Sequence, residues 1–225
     1  DMVVSAVRGL QSCNLSSVLK HFPGHGDTRV DSHSKPVSLG HDLDRLLSVE
    51  LVPFVRGIEA GVDGVMTGHI SLPNVTGSEL PATLSPFLLK SLLRGKLGFT
   101  GLVISDSLTM GALTDYYAQD ELAVQAFKAG IDLILRPVDV EKSFKALLKA
   151  VQEGSIEKVR LDESVIRILQ LKLKRGLFEK PESVHPEEVL GKEEHLKLIR
   201  EIYAATKETK VDGSAPEDTV HKEGK

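Results

Sequence analysis

The residues of this 225-residue chain best suited to chemistry gather in one stretch, Lys20-His21-Phe22-Pro23-Gly24-His25-Gly26-Asp27-Thr28, continued by Asp31-Ser32-His33. Three histidines and two aspartates within thirteen residues exceed what a connecting loop needs. Asp31 and His33 are two apart, close enough for the carboxylate to hold one imidazole nitrogen and ready the other for proton transfer. A further carboxylate, Asp106, follows the apolar run Leu102-Val103-Ile104. A carboxylate and an independent proton donor across a pocket are the two parts of a displacement through a covalent glycosyl-enzyme intermediate. The usual pair is two carboxylates, so a histidine donor departs from that pattern. Simpler readings compete. A loop histidine can face solvent, and Asp106 can cap a helix starting near Leu108. His21, His25 and His33 with Asp27 or Asp31 offer ligand types that zinc accepts, which would make a metal-dependent hydrolase. Their spacing on a Gly/Pro-rich loop matches no strong metal signature, so neither metal nor cofactor is expected.

Four short apolar runs must position these groups: 17–21, 64–69, 101–106 and 131–136. None alternates in and out, which predicts parallel strands covered on both faces. Helical patterns lie between them. Leu43, Leu46, Leu47, Leu51, Phe54, Val55 and Ile58 trace one stripe. Ser85-Pro86 opens a second helix carrying Leu88, Leu89, Leu92 and Leu93. Phe144, Leu147, Leu148 and Val151 form a stripe that stops at Gly154, and Asp162 is placed to cap a helix bearing the stripe Val165, Ile168, Leu169 and Leu173 and ending at Gly176. The β-α alternation predicts a parallel α/β fold whose loops after the strands converge on one face. Only about four units occur where a closed barrel takes eight, leaving either an open four-stranded sheet or half of a barrel. Residues 1–178 are read as that domain, 179–205 as a linker with a helix over 192–205, and 206–225 as a polar tail with little to bury and an expectation of disorder.

Composition narrows the partners. With 28 basic and 32 acidic residues, no global basic field draws nucleic acid or an anionic membrane. No apolar run approaches the ~20 residues that span a bilayer. The single cysteine, Cys13, excludes an intramolecular disulfide framework and fits a cytosolic protein. The opening residues read as mid-domain helix, which leaves a missing leader, and hence secretion, open.

The stretch Lys20–Thr28 with Asp31-Ser32-His33 resembles the β-N-acetylglucosaminidase branch of glycoside hydrolase family 3, and Leu92 to Thr109 is similar to that family's nucleophile signature. The resemblance implies a (β/α)8 TIM-barrel-like fold of which the second half is present. It implies Asp106 as nucleophile, His33 as acid/base, Asp31 as its partner, Lys20 and His21 as hydrogen-bond partners of sugar hydroxyls, and His69 lining the pocket. The β-glucosidase members lack the Asp-Ser-His sequence, so the implied substrate is a terminal N-acetylglucosaminide, typically a peptidoglycan fragment. The first barrel half, which in the family supplies an aspartate and an arginine to the sugar, lies outside the chain. Self-association or a partner chain would then complete the barrel. An inactive fragment serving as an interaction module, and a phosphorylase using phosphate in place of water, are the other readings.

Overall fold

The computed structural model describes residues 1–28, 37–179 and 185–208, in two compact units, Asp1–Glu179 and Lys180–Lys225. The first runs α1 (Met2–Ser12), β1 (Val18–Phe22), β2 (Val37–Ser38), α2 (Leu43–Arg45), a π-helical turn (Leu46–Glu50), α3 (Val52–Glu59), β3 (Gly64–Thr67), β4 (Ile70–Ser71), α4 (Pro73–Thr76), a 3-10 turn (Ala82–Leu84), a π-helical segment (Phe87–Lys96), β5 (Leu102–Ile104), α5 (Gly111–Thr114), α6 (Gln119–Ala129), α7 (Val140–Gln152) and α8 (Lys158–Lys174). The second contains α9 (Pro186–Val189) and α10 (Glu193–Glu208).

Three of the four anticipated strands form, all parallel, in the order β1-β3-β5. The crossovers are helical, as a parallel sheet requires. The fourth run, 131–136, needs correction: it is no extended strand and makes a single parallel bridge, Leu133 with Ile104. It still lies along β5, with the N–H groups of Asp132 and Leu133 donating to the Val103 carbonyl and that of Ser105 donating to Leu133. Positive φ at Arg136 (41°) and the missing N–H of Pro137 stop it from extending. β2 and β4 pair separately as a two-stranded parallel ribbon. Among the described residues β1 is paired on one side only.

Between strands and helices lies one main apolar cluster. Phe22, Val65 and Val103 from the strands meet Leu51 and Phe54 and the predicted Leu88, Leu89, Leu92 and Leu93. Gly101 sits where β5 passes close to the chain before β3: a Cβ there would come within 2.5 Å of the Asp63 carbonyl.

The later helices depart from their apolar patterns. Phe144 and Leu148 of α7 and Val165, Leu169 and Leu173 of α8 are exposed, and Asp162 lies inside α8, paired with Lys158, rather than at its start. The inward face of α8 is polar instead. Arg160, Ser164, Arg167, Lys174 and the adjoining Arg175 recur at helical spacing and reach two buried aspartates, Asp63 just before β3 and Asp132 in the run along β5.

Asp63 is held by the Ser17 N–H (3.0 Å), the Gln11 amide (3.0 Å), the Lys174 ammonium (2.8 Å) and Arg175. Burial alone would raise its pKa, but the bonds from Lys174, Ser17 and Arg175 overcome this and hold it below the ordinary value of 3.8. A carboxyl with a depressed folded pKa adds stability above its unfolded pKa of about 3.9 and loses it as the pH falls toward the folded value. The urea midpoint of Asp63→Asn should therefore lie below that of the wild type at pH 7, with the gap closing below about pH 4. A gap independent of pH would mean that Asp63 acts through shape alone.

Candidate active site

The carboxyl ends of β1, β3 and β5 bring candidate groups together. β1 carries one residue more than β3 between its paired positions Leu19 and Phe22 (opposite Val65 and Thr67). Such a bulge re-aims side chains, and its residues are Lys20 and His21. The chain then turns through Gly24, whose φ of 134° suits glycine and where a Cβ would lie 2.7 Å from Cβ of Glu50.

Two strands away, Asp106 follows β5 and faces this bulge. His21 Nε2 lies 3.4 Å from Asp106 Oδ2, both side chains about three-quarters or more buried. Burial lowers the His21 pKa, with Lys20, His25 and His69 adding to the effect, while Asp106 opposes it. The imidazole is therefore held toward its neutral form, a hydrogen-bonding group rather than a fixed cation. The other Asp106 oxygen, Oδ1, accepts the N–H of Ser107 at 2.7 Å. This bond pins the carboxylate at the strand end, and the helix-cap reading fails because α5 begins only at Gly111.

His69 is buried between the two loops. Its Nε2 donates to the Ser107 carbonyl at 2.9 Å, and its Nδ1 meets the Thr83 hydroxyl at 2.8 Å, which in turn contacts the Thr67 hydroxyl at 2.8 Å. A carbonyl can only accept, so Nε2 carries a proton, and the ring ties the turn after β3 to the peptide beside Asp106.

A cleft of about 660 Å³ adjoins Lys20 and His21, and His25, Asp27, Arg45 and Glu50 also line it. Its size suits a small-molecule site. His25 Nδ1 is within 2.6 Å of the Thr28 hydroxyl. Among the described residues His21, His25 and Asp27 do not converge on a common point. Asp31 and His33 lie outside the described residues.

Spacing alone could not bring His21 to Asp106, since 84 residues separate them; the signal was that each ends an apolar run in a parallel sheet. Missed outright were Asp63 and Asp132, whose mark is a lone carboxylate in an apolar run (Val-Asp-Gly-Val and Ile-Asp-Leu-Ile).

The family model described as "Glycosyl hydrolase family 3 N terminal domain" matches residues 1–171. A beta-hexosaminidase A of Pseudoalteromonas piscicida is 31% identical over 95% of this chain and 39% of its own length. A glycoside hydrolase family 3 beta-N-acetylglucosaminidase structure from Paenibacillus sp. str. FPU-7 is 42% identical with a TM-score of 0.84, over 88% of this chain and 39% of that one. A beta-glucoside phosphorylase structure is 28% identical with a TM-score of 0.82, over 88% of this chain and 38% of that one. The chain thus spans well under half the length of these relatives. With parallel strands, helical crossovers and polar loops gathered at the strand ends, it belongs to glycosyl hydrolase family 3 and forms part of that family's N-terminal barrel domain.

Proposed function

We propose that this chain carries the reacting groups of a retaining β-N-acetylhexosaminidase that removes terminal N-acetylglucosamine from peptidoglycan-type fragments or other β-glycosides. The observation that carries the reading is the meeting of His21 with Asp106 at 3.4 Å beside an open cleft. A candidate sugar-binding group and a candidate nucleophile share one face of the sheet. In the proposed cycle the Asp106 carboxylate attacks the anomeric carbon while His33, oriented by Asp31, protonates the departing oxygen. Water deprotonated by His33 then releases the sugar from Asp106. Lys20 and His21 hydrogen-bond sugar hydroxyls, and His69 steadies the loop beside Asp106. The His21 pKa, lowered by burial, leaves His21 a hydrogen-bonding group and the acid/base role to His33.

Completion of the barrel by further chain, a second copy or a partner is part of this proposal. Its support is the side of β1 left unpaired among the described residues, the exposed Val18 on that strand, and the exposed Val165, Leu169 and Leu173 of α8. Likeness to a phosphorylase structure keeps phosphate in view as acceptor in the second step.

The test is turnover by the protein in its full natural form. An aryl β-N-acetylglucosaminide should be preferred over the aryl glucoside by ~10²-fold or more. A slow fluorinated glycosyl fluoride should leave a covalent sugar on the Asp106 peptide, read by mass spectrometry. A label on another carboxylate would overturn the assignment. Sugar phosphate formed in phosphate buffer would redirect the second step, and inactivity toward every glycoside would leave the interaction-module reading.

A further inference from the structure

In the wall of the cleft, away from Asp106, lies a cluster that the reaction does not use. Asp27, at the end of the histidine-rich stretch, His41, just before α2, and Glu50, at the end of the π-helical turn, point one ligand atom each at a common space, all within 4.8 Å of one another. His41 Nε2 is 3.3 Å from Asp27 Oδ2 and 3.8 Å from Glu50 Oε1. Neither contact has hydrogen-bond geometry: this nitrogen is buried and has no hydrogen-bond partner among the described residues. A buried ring nitrogen facing two carboxylate oxygens without bonding either is costly. The 3.3 Å between His41 and Asp27 matches something else, with Glu50 somewhat farther out at 3.8 Å. Ligands about 2.1 Å from a tetrahedral zinc ion stand about 3.4 Å apart.

We infer that Asp27, His41 and Glu50 form a binding site for a divalent transition-metal cation, one imidazole and two carboxylates with a fourth position open to water. Nitrogen and oxygen donors of this kind suit zinc and its neighbours better than calcium or magnesium. The Glu50 side chain is 6% exposed and that of His41 17%, so two of the three ligands are set in the fold. Asp27 is 60% exposed and closes the site from the loop side. One positive group already occupies part of it. Arg45 donates to Glu50 Oε1 through Nη2 at 2.9 Å and through Nε at 3.1 Å, and its Nη2 lies 3.8 Å from Asp27. The guanidinium is nearly half exposed and can swing into solvent, so cation and Arg45 compete for the same carboxylates. Asp106 is not among the ligands, which makes the cation a structural clamp rather than a Lewis acid. Asp27 and His41 flank, in sequence, the segment that bears Asp31 and His33, so the clamp ties its two ends together.

The experiment is calorimetric titration of chelator-treated protein with zinc chloride, followed by the visible spectrum of the cobalt-loaded form. One equivalent should bind and raise the Tm. His41→Ala should abolish that equivalent, as should Asp27→Asn, which alters only an exposed side chain and keeps the test valid if the first variant folds poorly. Arg45→Ala should bind zinc at least about tenfold more tightly, the outcome a purely ion-paired cluster would not give. Asp106→Asn and His21→Ala should bind as the wild type does. Unchanged stoichiometry in His41→Ala and Asp27→Asn, or loss of binding in Asp106→Asn, would overturn the assignment.

Discussion

Asp106→Asn is expected to lower kcat for aryl N-acetylglucosaminide hydrolysis by at least about 10⁴-fold, the scale on which removing a member of the reacting set acts. Asparagine keeps the shape of the side chain and can still accept the Ser107 N–H through its carbonyl oxygen, the bond that aspartate makes at 2.7 Å. What it loses is the negative charge and the nucleophile. Circular dichroism and thermal unfolding should therefore stay close to the wild type while turnover collapses, and KM should move far less than kcat. A variant that kept more than a tenth of wild-type kcat would show that the carboxylate performing the attack is elsewhere. His33→Ala serves as the companion measurement, with its largest loss on substrates whose leaving group must be protonated; a good aryl leaving group should suffer less.

Asp132→Ala is the second large effect, and it falls on stability. The Asp132 carboxylate is fully buried and accepts from Arg94 (2.6 Å), the Val103 N–H (3.0 Å), Ser164 (2.6 Å), Arg160 (3.2 Å) and Arg167 (3.2 Å). Three guanidinium groups thus share one counter-charge, two of them reaching it from α8. Removing one partner of a buried ion pair costs about 3–5 kcal/mol, because the remaining charges are left without compensation. Urea unfolding should show a loss of that order, or a chain that fails to fold at 37 °C. Arg167→Ala, which leaves Arg94 and Arg160 in place, should cost clearly less. A loss under about 1 kcal/mol for Asp132→Ala would mean that the arginines find other acceptors.

How far the sequence reached differs from element to element. β1, β3 and β5 were legible because their apolar runs are short, unalternating and bounded by glycine or polar residues. The leucines of the Phe87–Lys96 segment were legible from helical spacing, and all four are buried. Gly154 and Gly176 end their helices with φ of 74° and 68°. The reading failed where burial is polar. A hydrophobic stripe on α8 suggested the inward face, but Asp63 and Asp132 draw the arginine and lysine side inward and leave Val165, Leu169 and Leu173 outside. An apolar-pattern argument has no means of ranking two faces when one is paid for by buried ion pairs. Asp162 failed for a related reason: Lys158 four residues before it makes an exposed pair within the helix, which has already begun.

The site shows the same division. Residue types and loop position pointed to His21 and Asp106 as parts of one face, and the distance of 3.4 Å adds what no spacing could supply. His69 reads in sequence as a strand-end histidine. Its hydrogen bonds to Thr83 and Ser107 reveal a cross-link between loops. Glu50 and His41 were invisible because one lies in an ordinary amphipathic stretch and the other in the short connection between β2 and α2, and only folding brings them to Asp27.

One consequence follows from the order β1-β3-β5, in which neighbours in space are also successive strands along the chain of this sheet. β3 and β5 each find a partner strand already made when they leave the ribosome. The sheet can therefore grow outward one unit at a time during synthesis, with Asp106 added only after the surface that His21 presents is in place.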